Sequence, residues 1–132
     1  MPYSASYNDL FALEFQNYPA DQQNAVEGFV ATFMSCGLRD FSRYPGKIAP
    51  SWRGLDPSDP AYAYTTTNHL WHYHLGVPVY TPSVSGLYQT SDIVLHFEWP
   101  NRGNSIHLVD TCYHYLKNSF YLPAPKYLVK SP

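Results

Sequence analysis

The chain lacks any long apolar run. Nothing in it approaches the roughly 18 to 20 consecutive apolar residues of a membrane span, and the start, Met1-Pro2-Tyr3-Ser4, has neither the basic nor the apolar region of a secretory signal. The expected location is therefore cytoplasmic, with no membrane partner. Cysteine is scarce as well: Cys36 and Cys112 are the only two, too few for a disulfide framework and wrongly spaced for zinc, so free thiols are expected. Positive charge is in short supply. Eight Lys and Arg against ten Asp and Glu give a formal net charge of -2, which excludes a general electrostatic attraction for nucleic acid and leaves only local basic patches. No Lys or Arg precedes Arg39; Arg39, Arg43, Lys47 and Arg53 then cluster, and after Arg102 the remaining ones, Lys117, Lys126 and Lys130, dot the tail.

What the chain does have is tyrosine. Thirteen of them in 132 residues, many beside histidine, supply rings that stack on bases or sugars while their hydroxyls hydrogen-bond, although tyrosine is also an ordinary strand residue. The length suits one domain with one core, spanning residues 1–132.

Phe11, Leu13 and Phe15 alternate with Ala12 and Glu14, the period of a short half-buried strand. Tyr18-Pro19 breaks that run. From Ala20 onward, Val26, Phe29, Val30, Phe33 and Met34 fall at helical spacing on one face, with Asp21 in the first turn and Gly37 as a left-handed stop. Residues 38–67 hold four prolines and two glycines without a sustained period. They read as a long loop with one short helix around Ser51 to Leu55. Three strands follow: His69 to Val77, Ser91 to Trp99, and Ser105 to Cys112, the last two joined as a hairpin through Pro100-Asn101-Arg102-Gly103-Asn104. The Pro-rich tail, 117–132, is expected to be extended. These elements predict an α+β fold, with an antiparallel sheet of roughly three to five strands packed against one or two N-terminal helices.

Alternate side chains of a strand share a face, so His72 and His74 point one way while Trp71, Tyr73 and Leu75 point the other. By the same parity Ile93, Leu95 and Phe97 oppose His96, and Ile106 and Leu108 oppose His107. With the apolar sets against the helix, His72, His74, His96 and His107 gather on the solvent side, provided no bulge intervenes. Imidazoles so gathered suit proton transfer near neutral pH. They also suit a metal, with a His-x-His pair, His96, and Asp92, Glu98 or Asp110 to complete the shell. A plain set of half-exposed sheet histidines is the third alternative. The run Asp110-Thr111-Cys112-Tyr113-His114-Tyr115 places further polar and aromatic groups at a strand end, where functional side chains often sit.

The order strand, helix, long basic loop and short-linked antiparallel sheet resembles the RelE/ParE-like toxins of bacterial toxin-antitoxin pairs. The segments Gly46-Lys47-Ile48-Ala49-Pro50-Ser51-Trp52, Leu70-Trp71-His72-Tyr73-His74-Leu75-Gly76 and Thr90-Ser91-Asp92-Ile93-Val94-Leu95-His96-Phe97 are similar to the YafO-like branch. The resemblance covers roughly Leu10 to Tyr115. It implies ribosome-assisted cleavage of mRNA by attack of a 2′-hydroxyl on the adjacent phosphate, with no metal or other cofactor, and a cognate antitoxin as partner. It also implies roles. His72 and His74 become base or acid, with His96, Tyr113 and His114 as further catalytic candidates; Lys47, Arg53, Tyr73, Arg102 and Lys117 become the RNA-binding set. The departure is the negative net charge, because a protein that docks on ribosomal RNA is normally basic. The ParE-like branch poisons gyrase without a nuclease site, so a non-catalytic protein-binding module stays open beside the metal-binding enzyme.

Overall fold

The computed structural model describes residues 2–82, 89–116, 119–120 and 122–128. In chain order the elements are β1 (Ser4–Tyr7), α1 (Asp9–Phe15), α2 (Ala20–Cys36), β2 (Ile48–Pro50), α3 (Pro60–Thr67), β3 (Leu70–His74), β4 (Thr81–Pro82), β5 (Gln89–Thr90), β6 (Ile93–Glu98), β7 (Ser105–Tyr113), β8 (Tyr115–Leu116) and β9 (Ser119–Phe120). The main sheet runs β1-β7-β6-β3-β2. β1 lies parallel to β7 and every other pair is antiparallel. The fold is α+β, N-terminal helices on a mainly antiparallel five-stranded sheet. No helix among the described residues is long and apolar enough to cross a membrane.

The strand expected over Phe11 to Phe15 is helix instead. Asn8 caps it, its side-chain oxygen accepting from the backbone N–H of Leu10 at 3.0 Å and of Phe11 at 3.2 Å, and Asp9 sits in the first turn. Phe11 and Phe15, four residues apart, share a face and pack with rings 5.5 Å apart. Leu13 points away and is 63% exposed. The missing edge strand is β1, which hydrogen-bonds to β7 through Ala5↔Ile106 and its neighbours.

The helix from Ala20 to Cys36 stands as expected, with Val26, Phe29 and Phe33 buried, although Met34 is half-exposed. Gly37 ends it at φ 66°, its N–H reaching Phe33 O at 2.8 Å. Only glycine fits, because a Cβ would run into the Tyr3 ring. Phe29 anchors α2 to the sheet: its ring lies 4.6 Å from Tyr73 and 5.3 Å from Phe97.

The expected loop over 38–67 contains β2 and α3. A run of turns occupies Ser51 to Gly54, and the helix lies further on at Pro60–Thr67. The Asp59 side chain caps it by accepting from Ala61 N at 2.8 Å, and Pro60 takes the first helical position. Thr65 and Thr66 direct their hydroxyls to the carbonyls of Ala61 and Tyr62, both at 2.8 Å. The tail expected to be extended contains β9 and a 3-10 turn over Pro125–Leu128. Tyr127 ties that turn to α1 by donating to Glu14 at 2.8 Å.

β6 and β7 pair as foreseen, through a 3-10 turn at Pro100–Arg102 in which Asn101 and Arg102 have φ of 56° and 50°. Their register slips once: His96 faces Asp110 and Phe97 faces Leu108, so Val109 is an extra residue in β7. That bulge reverses the alternation beyond it. Asp110, Cys112 and His114 turn to the side of His96, while Thr111 and Tyr113 share the side of Leu95 and Ile93. The thiols Cys36 and Cys112 are free.

Candidate functional site

The histidines do gather opposite α2, as strand parity requires, but the set differs from the expected one and is not on the solvent side. His72, on β3, lies directly across from His96 on β6. His114, brought round by the bulge, places its ring 5.1 Å from that of His72 and 4.9 Å from that of His74. His107 stays near the β1 edge with its Nδ1 2.7 Å from Ser6 Oγ. The exposures of His72, His74 and His96 are 7%, 4% and 0%. On this side Tyr64 of α3 lies near the Glu98 carboxylate, and it donates to Pro123 O at 2.6 Å.

The rings of His72 and His74 are each held by a hydrogen bond, and His114 is placed through its backbone. Ser51 follows β2, its N–H fixed to Leu70 O at 2.9 Å, and its hydroxyl stands 3.0 Å from Nδ1 of His72. His74 Nδ1 lies 2.9 Å from both N and O of Ser91, so either neutral tautomer has a backbone partner. The Ser91 hydroxyl donates to Ile93 O and accepts from Gly76 N, both at 2.9 Å, which fixes the turn that carries it. His114 enters through its backbone N–H, bonded to Asp92 O at 2.7 Å. Gly46 lets the β2 side close up: a Cβ there would collide with His74 O and the Tyr80 hydroxyl. Lys47 then meets β3 with its carbonyl accepting from His74 N at 3.0 Å.

Burial decides the charge state of this cluster. Loss of solvent disfavours the imidazolium and holds His72 well below the ordinary histidine range, with the neighbouring imidazoles adding to the effect. The same cause lowers His74, and brings His114 to about 4 and His96 to about 3. At neutral pH the four rings are uncharged. His96, fully enclosed, has no access to a ligand, whereas His72 and His114 open on a cavity.

That cavity, about 310 Å³, is lined by Lys47, Ser51, Arg53, His72, His114 and Leu55, among others. Two cations and two neutral imidazoles thus share one concave wall, an arrangement that binds an anion and moves a proton beside it. Ser51 is the member that residue-type reasoning passed over; it stands in the same segment as Lys47, one residue beyond Pro50. Other expected residues lie elsewhere. Tyr73 is buried against Phe29 and Tyr44 and presents no ring face to a ligand. Arg102 sits over the rings of Trp71 and Trp99, at 5.0 and 5.8 Å, on the side opposite the imidazoles. Tyr113, 53% exposed, turns with Ile93 away from the cluster, and Lys117 lies outside the described residues.

The chain matches no family model, no curated protein and no solved structure.

Proposed function

We propose that the chain is a RelE-superfamily toxin, a cytoplasmic, ribosome-associated endoribonuclease acting on mRNA and held in check by a cognate antitoxin protein. The observation that carries the reading is the cavity in which Lys47 and Arg53 stand beside the neutral imidazoles of His72 and His114. Two further features support it. The element order supports it in part: a strand, then helices, then a mainly antiparallel sheet, although β2 and α3 occupy the segment where the resemblance implies a long loop. The cations are local to the cavity, which reconciles phosphate binding with a net charge of -2.

The chemistry needs no water. A 2′-hydroxyl of the RNA attacks the adjacent phosphorus, its proton passing to a neutral imidazole, for which His114, half-buried at the cavity wall, is the more accessible. The bond from phosphorus to the 5′-oxygen breaks, and that oxygen takes up a proton from the imidazolium. The products are a 2′,3′-cyclic phosphate and a 5′-hydroxyl. Because burial disfavours the imidazolium, the group that has accepted the proton is strongly acidic and returns it readily. Lys47 and Arg53 stabilise the negative charge gathered on the phosphate oxygens in the transition state. Ser51 fixes the His72 ring that shares the wall.

Expression of the chain in bacteria, followed by mapping of transcript ends, tests the reading. Growth arrest with new 5′ ends inside messages, relieved by His72→Ala or His114→Ala, is the expected result. Normal growth with intact messages overturns it.

A further inference from the structure

His72 and His74 come from β3 and His114 from the residue just past β7, and one ring nitrogen of each lies within 4.8 Å of the others. Zinc holds imidazole nitrogen at about 2.0–2.1 Å, which sets ligand nitrogens about 3.3–3.6 Å apart, so the widest separation must close by up to about 1.5 Å. His114, just past the last residue of β7 and the least buried of the three, is the ring placed to move. His72 and His74 are already oriented through Nδ1 by Ser51 and Ser91, the kind of outer contact that fixes a ligating histidine in metal sites. The trio contains no carboxylate. Three imidazoles select a borderline ion such as Zn²⁺, Co²⁺ or Ni²⁺ over Mg²⁺ or Ca²⁺. The cavity adjoining His72 and His114 leaves a fourth position open, and Lys47 and Arg53 beside it favour an anionic fourth ligand.

We propose that His72, His74 and His114 form a three-imidazole site for one divalent transition-metal ion of the zinc class, and that the seated ion withdraws the imidazoles from proton transfer. The second half of this proposal rests on the nuclease reading above; the first does not.

The test uses the full chain stripped with chelator and titrated with ZnCl₂ by calorimetry, with Co²⁺ followed by its visible absorption as a second probe that needs no variant. One ion per chain, with an affinity at least a hundredfold weaker in His74→Gln and in His114→Gln but unchanged in His69→Asn, is the expected result. Absence of saturable one-ion binding, or binding indifferent to both substitutions, overturns the site and leaves the nuclease reading standing. In RNA cleavage, one equivalent of Zn²⁺ should lower the rate at least tenfold and chelator should restore it. Faster cleavage with zinc overturns the claim of exclusion. One-ion binding without cleavage in either form supports the site and overturns the nuclease reading.

Discussion

The hydroxyl of Ser51 stands 3.0 Å from Nδ1 of His72, and both groups are buried. The contact joins the turn after β2 to the middle of β3 and aligns one imidazole on the cavity wall. Ser51→Ala removes that partner while the backbone bond from Ser51 N to Leu70 O remains. Cleavage should fall by about tenfold, which corresponds to roughly one hydrogen bond. Nitrogen-15 NMR of the His72 ring should show a mixed or changed tautomer. An unaltered ring spectrum together with an unaltered rate would remove Ser51 from the site.

The proposed binding of RNA phosphate at Lys47 and Arg53 makes a salt-dependence prediction. For single-stranded RNA each lost phosphate contact lowers the slope of log affinity against log salt by roughly 0.7, and both Lys47→Ala and Arg53→Ala should do so. Arg102→Ala should leave the slope unchanged, since its guanidinium stacks on Trp71 and Trp99 away from the cavity. Filter binding to a short RNA at several salt concentrations separates these outcomes.

The buried imidazoles tie stability to acid. An unfolded histidine titrates near 6.5, whereas burial holds His96 at about 3 and His114 at about 4 in the native chain. Above pH 6.5 neither state carries these protons and stability is at its full value. As the pH falls below that point the unfolded chain takes up protons that the native chain refuses, so stability drops until the native groups protonate in turn, near pH 4 to 3. His96 alone, being fully enclosed, contributes a slope of up to about 1.4 kcal/mol per pH unit in this window. Urea unfolding of the metal-free chain between pH 7 and pH 5 measures the slope, and His96→Gln should flatten it. A flat profile in the parent chain would contradict the neutral cluster.

Two phenylalanine and leucine positions distinguish core from surface on the helical layer. Phe33, on the inner face of α2, is fully buried, and Phe33→Ala should cost about 3–5 kcal/mol. Leu13→Ala, on the open side of α1, should change stability by less than about 0.5 kcal/mol. Had Leu13 been an inward strand residue, the second substitution would cost as much as a core truncation. Denaturant midpoints of the two variants decide it.

Much of this was legible because two periodicities were clean. The spacing of Val26, Phe29 and Phe33 marks α2, and the alternation through Trp71-His72-Tyr73-His74 separates core from site on β3. Four things were not. Phe11, Leu13 and Phe15 fit a strand as well as a helix over so short a run, and the deciding cap, Asn8, carries weight only once its side chain is seen to turn back on Leu10 and Phe11. Asp59-Pro60 is a helix-start signature, but the threonines that follow have little helix preference and masked α3. The bulge at Val109 has no local signature, yet it brings His114 into the cluster and turns Tyr113 out of it. Burial of the histidine side comes from elements distant in sequence: Tyr64 on α3 bonds to Pro123, 59 residues away, which strand parity does not report.

The most direct measurement is the chemistry of the cut itself. Metal-free chain is mixed with translating ribosomes carrying a defined message, in the presence of a zinc-selective chelator that leaves Mg²⁺ in place, and the new RNA ends are identified by mass spectrometry. The account predicts a 2′,3′-cyclic phosphate facing a 5′-hydroxyl, lost in His72→Ala and His114→Ala. An uncut message, or cleavage that persists undiminished in both variants, would contradict it.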